Sequence, residues 1–257
     1  EDGLREAGYT PLIANTDNDA ERERVAYEAM SARQVDGFIA ATAVRDHWLL
    51  EDRASRGAKV VLVNRRVDSD AIPAVVGDDH EGVRLAVEHL AALGHRRIAH
   101  LGGSQALYTG WSRHSGFRDA MRSGDLALDD DLIVFSDTFT EREGARCCGQ
   151  LLDRRRDFTA IVAGNDLLAL GCYDALEERG LRCPEDVSVV GYNDMPFVDR
   201  FRPPLTTVRV PHYELGATAA ELMLEQLQEI QALPRQLRLS PELVVRGSTG
   251  PPAAAPR

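Results

Sequence analysis

Nothing in this 257-residue chain approaches the roughly 18 consecutive apolar residues that a membrane-spanning helix requires. Its opening stretch, EDGLREAGY, lacks both a basic n-region and an apolar h-region, so no signal peptide is expected. Cysteine is scarce: Cys147, Cys148, Cys172 and Cys183, with no C-x-x-C. Cys147 and Cys148 are adjacent and leave a helix on different sides, so free thiols in a reducing cytoplasm are expected rather than a disulfide framework. The histidines show no H-E-x-x-H or other zinc spacing, and neither a metal nor another cofactor is expected. Basic charge is also short, 30 Lys and Arg against 41 Asp and Glu, for a net charge of −11. The longest basic run, Arg154 to Arg156 in DRRRD, is flanked by acids. The concentrated basic face that grips a phosphate backbone is therefore missing, and this chain is not expected to hold nucleic acid on its own.

Phosphate loops and nucleophiles are lacking too. RIAHLG is followed by GSQALYTG, which is not G-x-G-x-x-G, and no G-x-x-x-x-G-K-[ST] occurs. GWSRH and GGSQA both fail the final glycine of a nucleophile elbow. With no coherent nucleophile–base pair, the chain does not read as an enzyme.

What is present is a repeated unit. Short apolar runs recur at TPLIAN (10–15), DGFIAA (36–41), KVVLVN (59–64), AVVGD (74–78), RIAHLG (97–102), LIVFSD (132–137), TAIVAGND (159–166) and VSVVGYND (187–194). They are apolar throughout, as strands covered on both faces are. Helical stripes lie between most of them. One carries Val83, Val87, Leu90 and Leu93 and stops at Gly94. A second carries Leu168, Cys172, Ala175 and Leu176 and stops at Gly180. A third, over 214–230, carries Leu215, Ala219, Leu222, Met223 and Ile230, broken by Gln226. Strands alternating with helices give an α/β chain with parallel sheets. Two sheets are favoured over one, because IPAVVGDDHEG brings a strand without a full preceding helix and FRPPLTTVRVP is a Pro-bounded connector. The tail GPPAAAPR has no core-forming residue and is expected to be disordered.

The strands end on polar residues: Asn15, Asn64, Asp78, Asp137, Asn165 with Asp166, and Asn193 with Asp194. Ligands of open parallel sheets bind beyond the carboxyl ends of the strands, where Asn and Asp either cap the next helix or face a ligand. Paired donors and acceptors beside one Arg and one aromatic suit the hydroxyls of a carbohydrate.

Several stretches resemble the LacI/GalR family of bacterial transcription regulators: VDGFIAA, AVVGDDHEGVRLAVEHLAALGHRRIAHLGG, RHSGFRDAM, TAIVAGNDLLALGCYDALEERGLRCPEDVSVVGYNDMP, PPLTTVRVPHYELGATAAELML and PELVVRGST. They run in family order and spacing from Glu1 to about Thr249. The resemblance implies the effector-binding core of such a regulator. That core has two Rossmann-like lobes with parallel sheets joined by three crossing segments, as in periplasmic sugar-binding proteins, with a small effector held between the lobes. The lobes are expected at 1–80 plus 208–236 and at 81–207 plus 237–249, followed by a disordered tail, 250–257. The family's first strand and its N-terminal DNA-binding headpiece are not matched. By the same resemblance, Arg113 falls where the family's ligand-clamping Arg precedes x-x-G-[YF]. Phe139 matches an aromatic that packs on the ligand ring, and Asn165 an Asn that hydrogen-bonds the ligand. Asn193 and Asn64 stand where many members carry Asp. Asp194 belongs to the same rim and reads as a structural or hinge acid. The implied function is that of a cytoplasmic, sugar-responsive repressor domain working as a homodimer, with operator DNA contacted only through the headpiece. A periplasmic sugar-binding protein serving transport is the rival reading, and a sugar-active enzyme the third.

Overall fold

The computed structural model describes residues 1–228 and 233–253. In chain order the elements are α1 (Asp2–Glu6), α2 (Ala20–Ala32), β1 (Phe38–Ala40), α3 (Trp48–Ser55), β2 (Val60–Val63), β3 (Ala74–Gly77), α4 (Asp79–Ala92), β4 (Ile98–Gly102), α5 (Tyr108–Ser123), β5 (Ile133–Phe135), α6 (Glu141–Arg154), β6 (Ala160–Ala163), α7 (Asp166–Glu177), β7 (Ser188–Asn193), β8 (Thr206–Arg209), α8 (His212–Leu227), β9 (Gln236–Leu239) and β10 (Glu242–Val244). They divide into two units. The first comprises Glu1–Gly77, Ala106–Tyr108 and Pro211–Leu239; the second comprises Asp78–Gln105, Thr109–Val210 and Ser240 onward.

In the first unit a four-stranded sheet runs β1-β2-β3-β9, parallel throughout. Val60, Val61 and Leu62 of β2 and Ala74, Val75 and Val76 of β3 are buried, which is why both read as continuous apolar runs. On α8, Leu215, Ala219, Leu222 and Met223 are buried as its spacing predicts. Gln226, the break in that stripe, donates its side-chain amide to the Val60 carbonyl at 3.2 Å. Ile230 lies outside the described residues. One expected strand is absent: residues 10–15 are not in a strand, and Leu12 and Ile13 are 53% and 79% exposed. An apolar run becomes a strand only by pairing its backbone with a neighbour, and residues 10–15 do not pair with β1, the edge of this sheet.

The second unit is built on a six-stranded sheet ordered β10-β8-β7-β6-β4-β5. It is parallel except at β10, which pairs antiparallel with β8 along the edge. The Pro-bounded connector therefore supplies a strand, β8, of which Thr206, Thr207 and Val208 are buried. Val83, Val87 and Leu90 of α4 are buried against this unit, and α7 buries Leu168, Cys172, Ala175 and Leu176. Gly94 and Gly180 end their segments at φ 103° and 69°, the left-handed conformation that glycine adopts without strain. All four cysteines are free thiols. Cys147 and Cys148 do point apart, toward the Phe135 and Cys172 carbonyls respectively.

The expected disordered tail requires correction over its described part. The Gly250 carbonyl accepts from His95 Nε2 at 2.9 Å and from the Ser188 hydroxyl at 3.2 Å, while its N–H donates back to Ser188 Oγ. Backbone groups thus dock a segment whose side chains could not. Residues 254–257 of that tail lie outside the described residues.

Candidate functional site

The strand order of the second unit reverses between β4 and β6, since β5 lies to one side of β4 and β6, β7 and β8 to the other. At such a reversal the loops leaving the two strands diverge and open a crevice at their carboxyl ends. Here β4 runs into Gly102–Gly103 and β6 into Gly164–Asn165. The two loops approach closely: a Cβ on Gly164 would lie 3.1 Å from the Gly103 nitrogen, and one on Gly103 would overlap the Phe139 ring.

Helix α5 brings Arg113 to this point, only 4% exposed. Its Nε donates to Asp79 Oδ1 at 2.7 Å and its Nη1 to the Gly164 carbonyl at 2.7 Å. The guanidinium carbon lies 3.8 Å from the centroid of the Tyr192 ring, a cation–π contact. Burial opposes the charge on Arg113, but the Asp79 carboxylate beside it outweighs burial and holds its pKa above the ordinary value. Burial pushes the Asp79 carboxyl up and the Tyr192 phenol well up. Asp79 Oδ2 and the Tyr192 hydroxyl are buried facing each other.

Three polar doublets close strands around this centre, and each divides its labour. Asp78 caps α4 by accepting from the Glu81 N–H, while Asp79 turns inward to Arg113. Asn165 caps α7 through Oδ1, accepting from the Leu168 N–H at 2.8 Å. Asp166 is fully buried and accepts from the Met195 N–H at 2.7 Å and the Thr207 hydroxyl at 2.5 Å. Burial raises its pKa to about 6 against those two hydrogen bonds. Asn193 and Asp194 both have positive φ, 114° and 56°, so the chain turns sharply as it leaves β7. Asp194 accepts from Arg209 Nε and from an Arg246 nitrogen, both at 2.7 Å.

The expected site residues therefore separate. Arg113 bonds the residue before Asn165 and stacks on the residue before Asn193, so these three share one region; Phe139 joins it by covering Gly103. Asn165 has its carbonyl oxygen occupied by the cap, leaving its amide N–H groups as donors. Both oxygens of Asp194 accept from arginines that tie β8 and the segment after β10 to the end of β7, which gives it a structural role. Asn64 lies in the first unit at φ 63°, its N–H donating to the Val75 carbonyl. His114 stacks on His100, with ring centroids 5.7 Å apart, and meets the edge of Phe135.

Asp79 and Tyr192 were not singled out from the sequence. The doublet DD at 78–79 was the available signal, since one acid suffices for a cap. A second polar group also went unread, in the first unit. Glu23 on α2 accepts from Thr42 Oγ1 and bonds His47 Nε2 at 2.8 Å, and His47 Nδ1 caps α3. Burial opposes the Glu23 charge, but those two hydrogen bonds outweigh it and lower its pKa. Among the described residues, no group of His, Cys, Asp and Glu could hold a metal ion, and no helix is long and apolar enough to cross a membrane.

The chain is similar in sequence and fold to known proteins. A family described as periplasmic binding protein-like domain matches residues 87–249. The HTH-type transcriptional regulator DegA of Bacillus subtilis (strain 168) is 34% identical over 254 residues, spanning 98% of this chain and 75% of that protein. A solved complex of the transcriptional regulator CelR with cellobiose superposes with a TM-score of 0.90 at 31% identity, covering 96% of this chain and 75% of that one. A LacI family transcriptional regulator from Enterococcus faecium, with bound ribose, has a TM-score of 0.81 at 31% identity, covering 97% and 91%.

Proposed function

This chain belongs to the LacI family of transcriptional regulators as its ligand-sensing regulatory domain, and on that premise we propose that it belongs to a repressor and binds a carbohydrate effector at the carboxyl ends of β4 and β6, which alters operator affinity. The observation that carries the reading is the buried Arg113, locked by Asp79, Gly164 and Tyr192 beside Asn165 and Phe139. A fixed guanidinium fork presents aligned donors to vicinal hydroxyls. The Asn165 and Asn193 amides add donors and acceptors, and the Phe139 ring offers an apolar face to a sugar ring.

The regulator works in the cytoplasm as a homodimer, and ligand shifts the population of dimer states. Operator affinity of the helix-turn-helix carried by such regulators changes by no more than the ligand's differential affinity for those states. Regulators among the relatives support this reading over a transport role, and the want of a nucleophile–base pair supports binding without turnover. Exposed Trp48, Tyr213 and Ile39 in the first unit supply apolar surface for a dimer face.

Calorimetric and thermal-shift titration with ribose, glucose, cellobiose, guanine and hypoxanthine tests the reading. A sugar is expected to raise the unfolding midpoint by mass action. Arg113→Ala is expected to lose that response, since each hydrogen bond to a charged group contributes about 1.5–3 kcal/mol. A response to a purine base alone, or to nothing, overturns the carbohydrate assignment.

A further inference from the structure

Arginine at a ligand site ordinarily invites an anion, and the ends of parallel strands offer a second invitation. Helix N-termini point there, and their unpaired N–H groups favour negative charge. In the second unit both invitations are already answered from within. Arg113 holds Asp79 Oδ1 at 2.7 Å, with the two side chains 5% and 3% exposed. The first turn of α4 contains Asp79 and follows Asp78, that of α7 contains Asp166, and that of α6 contains Glu141 and Glu143. Arg209 and Arg246, the other cations close to the end of β7, are bound to Asp194. Arg113, Arg209 and Arg246 thus each hold a carboxylate of the chain itself.

We propose that Asp79 is a specificity-determining residue: by neutralising Arg113 within the site, it selects an uncharged polyhydroxyl ligand over the phosphorylated or carboxylated form of the same sugar. The inference rests on the ligand-site reading above and adds the ligand's charge class. Two buried atoms give it geometric content. Asp79 Oδ2 and the Tyr192 hydroxyl beside Arg113 are both buried and face each other, so the phenol adds to the enclosure of the carboxylate, which as an ion can only accept. A phosphate or carboxylate brings a like charge toward Asp79 where water screens little, and a sugar hydroxyl brings none. Asp79 is a positioning residue as well, because it fixes Arg113 at Nε and leaves part of the guanidinium fork for the ligand.

The test compares ratios. Ribose against ribose 5-phosphate, glucose against glucose 6-phosphate, and glucose against gluconate are titrated into the wild-type chain and Asp79→Asn by calorimetry at fixed ionic strength. The wild type is expected to bind a neutral sugar at least tenfold more tightly than its anionic counterpart. In Asp79→Asn, which keeps the side-chain volume and removes the charge, that ratio is expected to fall at least tenfold or invert. Equal or tighter binding of an anionic form by the wild type overturns the proposal while leaving a ligand site intact. An unchanged ratio in a folded Asp79→Asn overturns the role of Asp79. If that variant does not fold, Asp79→Ser is read in its place by the same ratio. Failure of the wild type to bind any of these probes removes the carbohydrate reading itself, and the inference with it.

Discussion

The two units reach the same layered architecture by different means. In the second, α6 and α7 pack over the sheet and bury Leu101, Leu151, Ile161, Leu168, Leu176 and Val189 to within 1% of complete. In the first, the apolar layer is thinner, centred on Leu50, Val60, Leu62, Val67 and Ile72, and the 13-residue helix α2 has no buried residue at all. Helix α2 is tied down instead by a stack of Tyr27 on Phe38 with centroids 4.2 Å apart, by Arg53 over the Tyr27 ring and by the Glu23–His47 bond. Apolar burial is the larger stabilising term per residue, and polar ties near water contribute less. The side chains assigned to the ligand thus stand mainly on the firmer frame, which is what holds Arg113 in one geometry. The chain carries two tryptophans, Trp48 in the first unit and Trp111 in the second. Single-tryptophan variants therefore report the two units separately in urea, and the contrast can be attacked directly.

The largest effect is expected at the buried ion pair. Arg113→Ala removes the counter-ion of a fully enclosed Asp79 and is expected to cost about 3–5 kcal/mol in the Trp111 transition. A loss under about 1 kcal/mol would mean that Asp79 is protonated or reaches water in the variant. Next comes the apolar frame. Leu168→Ala, at a position with no exposure, opens a cavity between α7 and α6 and is expected to cost about 2–5 kcal/mol in the same transition.

A third test uses pH. Asp166 has an ordinary pKa of 3.8 and about 6 in the folded chain. The folded state therefore holds the proton longer than the unfolded state. The group's contribution to stability is fully present below the unfolded value and falls away as pH rises from about 4 to about 6. The expected fall is about 3 kcal/mol. Asp166→Asn keeps one acceptor and should flatten that part of the pH profile of the Trp111 transition. A profile unchanged by the substitution would place the titration elsewhere.

What was legible in the sequence follows the same division. Strands buried on both faces, β2, β4, β6 and β7, announced themselves as continuous apolar runs, and α4 and α7 by stripes closed with Gly94 and Gly180. The nearness of Arg113, Asn165 and Asn193 was legible, because strand ends in a parallel sheet are where polar residues converge. Three things were not. β8 and β9 lie in segments marked by prolines or alternating arginines, whose strand character comes from ladder partners distant in sequence. The role of Asp79 depends on a contact 34 residues away, and a second acid after a cap looks like solvent-facing charge. Asp194 read ambiguously as ligand or hinge, and its structural role depends on Arg209 and Arg246, which only the fold brings to it.

The smallest expected effect is the sharpest check on the comparison. Val25 lies on α2 and is 51% exposed, so Val25→Ala removes little buried surface and should change the Trp48 transition by no more than about 0.5 kcal/mol. A cost above about 1.5 kcal/mol would require Val25 to be buried by something outside its own unit. The proposed homodimer supplies a candidate cover. In that case the cost should shrink on dilution below the dimer dissociation constant, because stability linked to association falls with protomer concentration. A cost independent of concentration would instead mean that α2 packs its own unit more tightly than its polar ties imply, and the contrast between the two units would fail.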